Sequence, residues 1–219
     1  MIKLVIFDFD GVLVDSNESW ADVLTKASKA SGLGGKFTFD DIKDHAGKPY
    51  VEVFKASHPK HADNEKVLET LYSHFIKIAA TDDFVDSFKS IRGIKRSLAS
   101  LGKKYTLAVC SGNSRNLLKY FIEKMGFSRY FRLLVSVDDV KRGKPHPDML
   151  LKTLRHFRVS PKEAVYIGDS ESDVMAAKSA RMRSVVVLTG ALDRQQAEAL
   201  RPDFIVDDVT CVEGVLKCM

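Results

Sequence analysis

The 219-residue chain has no apolar run near the roughly 20 residues that a bilayer-spanning helix needs. Its N-terminal apolar stretch is short and runs straight into Asp8 and Asp10, which reads as a strand and not as a secretory signal. Cysteine is scarce. Cys110, Cys211 and Cys218 have no metal-ligand spacing and are odd in number, so neither a thiolate metal site nor a disulfide framework is expected, and a reduced, cytoplasmic setting is. Arginine is missing from residues 17–90, where ten lysines face twelve acids; the remainder carries 24 basic residues against 17 acids, within a net charge of +5. An anionic ligand would suit that remainder. No basic run is interleaved with aromatics, so neither nucleic acid nor membrane is an expected partner. Internal repeats and low-complexity segments are also absent.

What is present alternates. "IKLVIF" (2–7) is nearly continuously apolar, as in a parallel strand covered on both faces. From Ser16, a candidate helix cap, Trp20, Val23, Leu24 and Ala27 fall on one helical stripe, and "SGLGG" (31–35) ends it. Further helical patterns lie near 39–45, 49–56 and 63–80. Beyond residue 90, strands are expected at 105–110, 132–137, 164–168, 184–188 and 203–206, with helices at about 93–102, 114–125, 147–158 and 170–180. The expected fold is α/β: a Rossmann-like parallel sheet flanked by helices, formed by residues 1–15 and 91–219, with an inserted all-helical domain over 16–90.

Four strands end in chemically unusual stretches: "DFDG" after the first, "CSGN" (110–113), "KRGKPHPD" (141–148) and "GDSESD" (168–173). A parallel sheet collects them along one edge, beyond the carboxyl ends of its strands. Asp8 and Asp10, two apart, are expected as neighbours, joined by Asp169 and Asp173. Acids so crowded repel unless a hard divalent cation neutralises them, and Mg²⁺ suits carboxylates and substrate oxygens. Ser111 offers a hydroxyl, Gly112 and Asn113 offer backbone N–H groups at a helix start, and Lys144 offers a positive charge, all suited to phosphate. Acids, Mg²⁺ and a phosphate cradle are the equipment of phosphoryl transfer.

"DFDGVLVDS", "SGN", "GKPHP" and "GDSESD" together resemble the four ordered motifs of the haloacid dehalogenase superfamily. The helical insertion resembles the C1-type cap of its phosphoglycolate phosphatase and β-phosphoglucomutase branch. The resemblance implies Asp8 as nucleophile, forming an aspartyl phosphate, and Asp10 as acid and then base. It implies Mg²⁺ held by the carboxylates of Asp8 and Asp169 and the Asp10 carbonyl, with Asp173 orienting the metal's waters or ligating it. Ser111 and Lys144 would hold the transferring oxygens, and a closing cap would exclude bulk water. The implied activity is a Mg²⁺-dependent phosphatase on a small phosphorylated metabolite, phosphoglycolate-like or a sugar phosphate. A sugar phosphomutase using the same aspartates, and a non-catalytic phosphate-binding or signalling module, remain alternatives, and monomer or dimer is left open. Two positions depart from the pattern: Val12 replaces a usual threonine, and Arg181 stands where the branch usually has glycine.

Other residues are read more plainly. Asp15 and Ser170 are expected as cap or turn residues, and Trp20 as core of the helical segment. His45, His58, His61 and His74 are expected at the surface. "HAGKPY" (45–50) breaks a helical pattern and could lower Lys48 toward the active site as a substrate-binding residue.

Overall fold

The structure, a computed structural model, describes residues 1–219. Six strands, β1 (Leu4–Phe7), β2 (Thr106–Ser111), β3 (Leu133–Ser136), β4 (Ala164–Gly168), β5 (Arg183–Val187) and β6 (Phe204–Val206), form one sheet in the order β3-β2-β1-β4-β5-β6. Every pairing is parallel. The expected Rossmann-like α/β fold is therefore present.

Side chains alternate across a strand, and both faces are filled. Val5, Phe7, Leu107, Val109, Val165 and Ile167 pack into one apolar cluster. Leu4, Ile6, Ala108, Cys110 and Tyr166 join a second cluster with Met149, Leu150, Leu154, Ala176 and Ala177. The first face is covered partly by α6 (Ile94–Leu101) and α7 (Arg115–Lys124), the second by α8 (Asp148–Phe157) and α9 (Glu171–Ser179). Coverage on both sides explains why the strands read as continuous apolar runs.

Between β1 and β2 lie helices only: α1 (Asn17–Ala30), α2 (Phe39–Ile42), α3 (Tyr50–Ser57), α4 (Glu65–Ala79) and α5 (Asp82–Asp86), with short 3-10 turns. α1 buries Val23, Leu24 and Ala27, the expected stripe. α4 lies against it and buries Leu68, Leu71 and Phe75. The first apolar cluster continues unbroken from these helices to the sheet. Phe84, Phe88 and Phe121 lie edge-on or tilted to one another, with Phe9 and Trp20 against them. The chain leaves and re-enters at adjacent points: Asp15 and Lys89 form an antiparallel bridge, with N–H to O distances of 3.1 and 2.9 Å. Asp15 is thus a bridge residue here and not a helix cap.

Several expectations need correction. Ser16 precedes α1 but makes no capping bond, because its hydroxyl is committed elsewhere. The segment 39–45 divides into α2 and the 3-10 turn Lys43–His45. His58 is buried and not at the surface. Two short C-terminal helices, α10 (Arg194–Ala199) and α11 (Val212–Leu216), were not expected. Arg181 does take the left-handed conformation, φ 57°, where a residue with a Cβ costs about 1 kcal/mol relative to glycine.

Candidate active site

The sheet reverses its winding at β1 and β4, the place where such folds bind ligands. The register sets Phe7 beside Val109 and Ile167, so the residues just beyond these strand ends converge. Asp8 is the first residue past β1, and its amide donates to the Ile167 carbonyl at 2.9 Å. Its carboxylate continues the face of Leu4 and Ile6. Oδ1 accepts from the Phe9 amide at 2.7 Å, and Oδ2 accepts from Lys144 Nζ at 2.6 Å.

Lys144 also donates to Asp173 Oδ1 at 2.8 Å, and its side chain is only 1% exposed. Burial alone would lower its pKa, but Asp173 and Asp8 outweigh burial and raise it, so it stays charged. Asp173 lies in the first turn of α9. Its Oδ1 takes Lys144 and the Tyr166 hydroxyl (2.9 Å); its Oδ2 takes the Ser170 hydroxyl (2.6 Å) and the amides of Ser170 and Asp169. Ser170 and Asp173 form a capping box, so Ser170 is the expected cap. Burial pushes the Asp173 carboxyl up, yet the Lys144 charge and these bonds hold it below the usual range.

Asp169 follows β4, and the loop after β5 grips it: Ala191 N donates to its Oδ2 at 2.9 Å. Burial and the charges of Asp173 and Asp8 push its carboxyl well up. Asp8 is pushed up to about 7, by burial first, against the opposing Lys144. Carboxylate oxygens of Asp8, Asp169 and Asp173 lie within 4.8 Å of one another. One ammonium cannot neutralise three buried carboxylates, and the donors are all hard oxygens. This set fits a hard divalent cation. The space is kept open locally: a Cβ on Gly11 or Gly190 would collide with the Asp169 carboxylate.

Asp10 is placed differently from the sequence reading. β1 has ended at Phe7, so strand alternation no longer applies at Asp10, and its carboxylate lies outside the three-acid group. Oδ1 accepts from Ser16 Oγ at 2.5 Å and Trp20 Nε1 at 2.7 Å, and Oδ2 from Asn113 Nδ2 at 2.6 Å. Burial outweighs these bonds and holds the carboxyl above its ordinary value. Trp20 was expected only as core, and Ser16 only as a cap. Tyr50 extends the network by donating to Asn113 Oδ1.

Ser111 is the last residue of β2, and its hydroxyl accepts from the Asn113 amide (3.2 Å) and side chain (3.0 Å). Gly112 and Asn113 stand just ahead of α7, which starts at Arg115 behind Ser114, close to the expected 114–125. Asn113 also acts through its side chain. The turn over 45–48 sits directly on the site. Ser172 Oγ donates to the Ala46 carbonyl at 3.1 Å, and a Cβ on Gly47 (φ 74°) would meet Lys144 Nζ at 3.2 Å. Beneath that turn lies a cavity of about 90 Å³. Its wall includes Asp8, Asp10, Gly112, Asn113, Asp169 and Lys48, and continues upward along the helices.

A buried acid placed against a buried lysine, a second acid held apart on neutral donors, and an oxygen-rich cation site can transfer a group from oxygen to a carboxylate. Comparison with known proteins is consistent with this. The family model described as haloacid dehalogenase-like hydrolase matches residues 5–187. The pyrophosphatase PpaX of Oceanobacillus iheyensis is 24% identical over 208 residues, 95% of this chain and 94% of its own. That of Bacillus velezensis is 26% identical over 221 residues, covering 98% and 97%. The solved structure of a hydrolase from Pseudomonas syringae superposes with a TM-score of 0.85 at 21% identity, covering 99% of each chain. A haloacid dehalogenase-like family protein from Streptococcus pneumoniae gives 0.83 at 18%, covering 98% of each.

Proposed function

The chain belongs to the haloacid dehalogenase-like hydrolases, and from that premise we propose that it is a Mg²⁺-dependent phosphatase acting on a small phosphomonoester. The observation that carries the reading is the pairing of Asp8 Oδ2 with Lys144 inside a group of three buried carboxylates, beside an Asp10 that only neutral donors hold.

Asp8 and Asp169, with the Asp10 carbonyl, would hold Mg²⁺; that carbonyl accepts no backbone hydrogen bond. When bound, the cation offsets the carboxylate charge and the charge that develops on the transferring oxygens. Asp173 is saturated by its own donors, so its part is to fix Lys144 and the first turn of α9.

In the first step an Asp8 oxygen forms the new bond to phosphorus while the ester P–O bond breaks. Asp10, raised by burial and therefore able to carry a proton, gives it to the departing alkoxide. Lys144 and the Ser111 hydroxyl hold the equatorial oxygens. In the second step Asp10, now a carboxylate, takes a proton from water as that water attacks the phosphorus. Orthophosphate leaves and the Asp8 carboxylate is restored. The Ala46–Lys48 turn over the site limits bulk water during the first step, and Lys48 adds a positive charge to the cavity wall.

The experiment is phosphate release from p-nitrophenyl phosphate with Mg²⁺. Turnover that stops on chelation and returns with Mg²⁺ is expected, and Asp8→Asn should reduce kcat by at least about 10⁴-fold, as loss of a nucleophile does. A folded, Mg²⁺-loaded protein that releases phosphate from no ester would end this reading.

A further inference from the structure

Above the acids the cavity changes character. From Trp20, whose indole N–H reaches Asp10 at 2.7 Å, the wall runs along Leu24, Phe39, Ile42, Val53 and Phe75. Leu24, Ile42 and Phe75 are buried, and Trp20 stacks on Phe75 with ring centres 5.3 Å apart and planes at 13°. Polar groups in this arm are few. The Tyr50 hydroxyl is used by Asn113, and Asn17 Nδ2 reaches the Thr189 carbonyl at 3.4 Å. His45 Nδ1 is buried without a partner, and Lys48 supplies the arm's one ammonium. The arm is continuous with the phosphoryl site, so a group leaving from phosphorus can occupy it.

We propose that this arm binds an apolar organic group, making the substrate the phosphate monoester of an aliphatic or aryl alcohol. This rests on the phosphatase reading above and narrows it. The orthophosphate that leaves when pyrophosphate is cleaved would place anionic oxygens against Leu24, Phe39, Ile42 and Phe75 with one lysine to answer them, and unpaired buried charge is strongly unfavourable. A sugar would bring several hydroxyls to a wall whose polar side chains are few: His45, Lys48, Asn17 and a Tyr50 already used by Asn113. An alkyl or aryl group loses nothing there and leaves water. The preference thus differs from what the printed names of the pyrophosphatase relatives describe for those proteins.

The test is kcat/KM for straight-chain alkyl phosphates from methyl to hexyl, beside inorganic pyrophosphate, phosphoglycolate and glucose 6-phosphate, with the Mg²⁺-loaded full chain. We expect a rise of about fourfold per methylene (about 0.8 kcal/mol each) until the arm is full, with pyrophosphate below the longer esters. Val53→Phe should fill the arm and move the preferred ester to a shorter chain. That preference is a ratio within one enzyme and does not depend on how much variant folds. A flat or falling series, or pyrophosphate as the best substrate, overturns the inference while Asp8-dependent phosphate release keeps the phosphatase reading intact. A rising series whose optimum Val53→Phe leaves unmoved overturns the assignment to this arm. If no ester releases phosphate, both readings fall together.

Discussion

On the sheet side of the cavity, the carboxylates of Asp8, Asp10 and Asp173 are each held by donors from two or more chain segments and that of Asp169 by the Ala191 amide; on the helical side, the wall is apolar side chains with almost no fixed polar partners. Asp173 alone takes five hydrogen bonds, whereas Leu24, Phe39, Ile42, Val53 and Phe75 are held by packing. Hydrogen bonds to charged groups are directional and unforgiving, while apolar contacts tolerate exchange of shape at constant volume. The sheet side therefore constrains chemistry, and the helical side, Trp20 apart, can vary what is recognised without disturbing it.

The sharpest way to break this comparison is Lys144→Met. It strands Asp8 and Asp173 as buried, unpaired charges, and a loss of about 3–5 kcal/mol is expected in chemical denaturation. Val53→Ala, on the other wall, should cost about 1 kcal/mol. Equal losses would mean that the two sides are not differently built.

Next in size is the cation's effect on stability. Asp8 sits at about 7 in the folded chain against an ordinary 3.8, so between these values the native state holds a proton that the unfolded chain has released. Stability of the metal-free protein must therefore fall as pH rises across that window, and Asp169, also pushed up, acts in the same sense. Burial shifts His58 downward, which has the opposite sign, so the quantity to read is wild type minus Asp8→Asn. Mg²⁺ need not compete with that proton above pH 7. It should raise Tm more at pH 8 than at pH 5, by the equivalent of about 2.7 kcal/mol at a hundredfold excess over Kd. Equal shifts at both pH values would argue against cation binding at Asp8.

The smallest effect sharpens the comparison where the two sides meet. Trp20 belongs to the helical wall yet donates to Asp10. Trp20→Phe keeps the ring and removes the donor, and should lower kcat about tenfold, the worth of one modest hydrogen bond. It should also displace the acidic limb of the kcat profile, which a purely packing role would leave in place.

The sheet was legible because strands buried on both faces leave continuous apolar runs, and "AVYIG" coincides with β4 residue for residue. The acids were legible because carboxylates at the tip of an apolar strand have few structural reasons to be there. The Asp10 carboxylate stands outside the three-acid group because strand alternation stops at Phe7, three residues before it. Trp20 and Asn113 were half-read: helical spacing reports that a side chain faces inward, and says nothing about which polar atom it meets there. Tyr166 was invisible within a strand whose other members are apolar. For α10 a signal existed, since Asp193 and Gln196 form a capping box, but the helix is too short for periodicity to register. α11 contains Gly214 and offers still less.

The bridge between Asp15 and Lys89 has a consequence for how this chain can be altered. Its two strands enter and leave side by side, joined by reciprocal main-chain bonds, so the intervening stretch is a detour and not a link in the sheet's register. Such a detour can be lengthened, shortened or traded for another while β1 and β2 remain paired. New specificities can then be grafted onto the same sheet by recombination at one doorway, provided the replacement again supplies donors to Asp10 in place of Ser16 and Trp20.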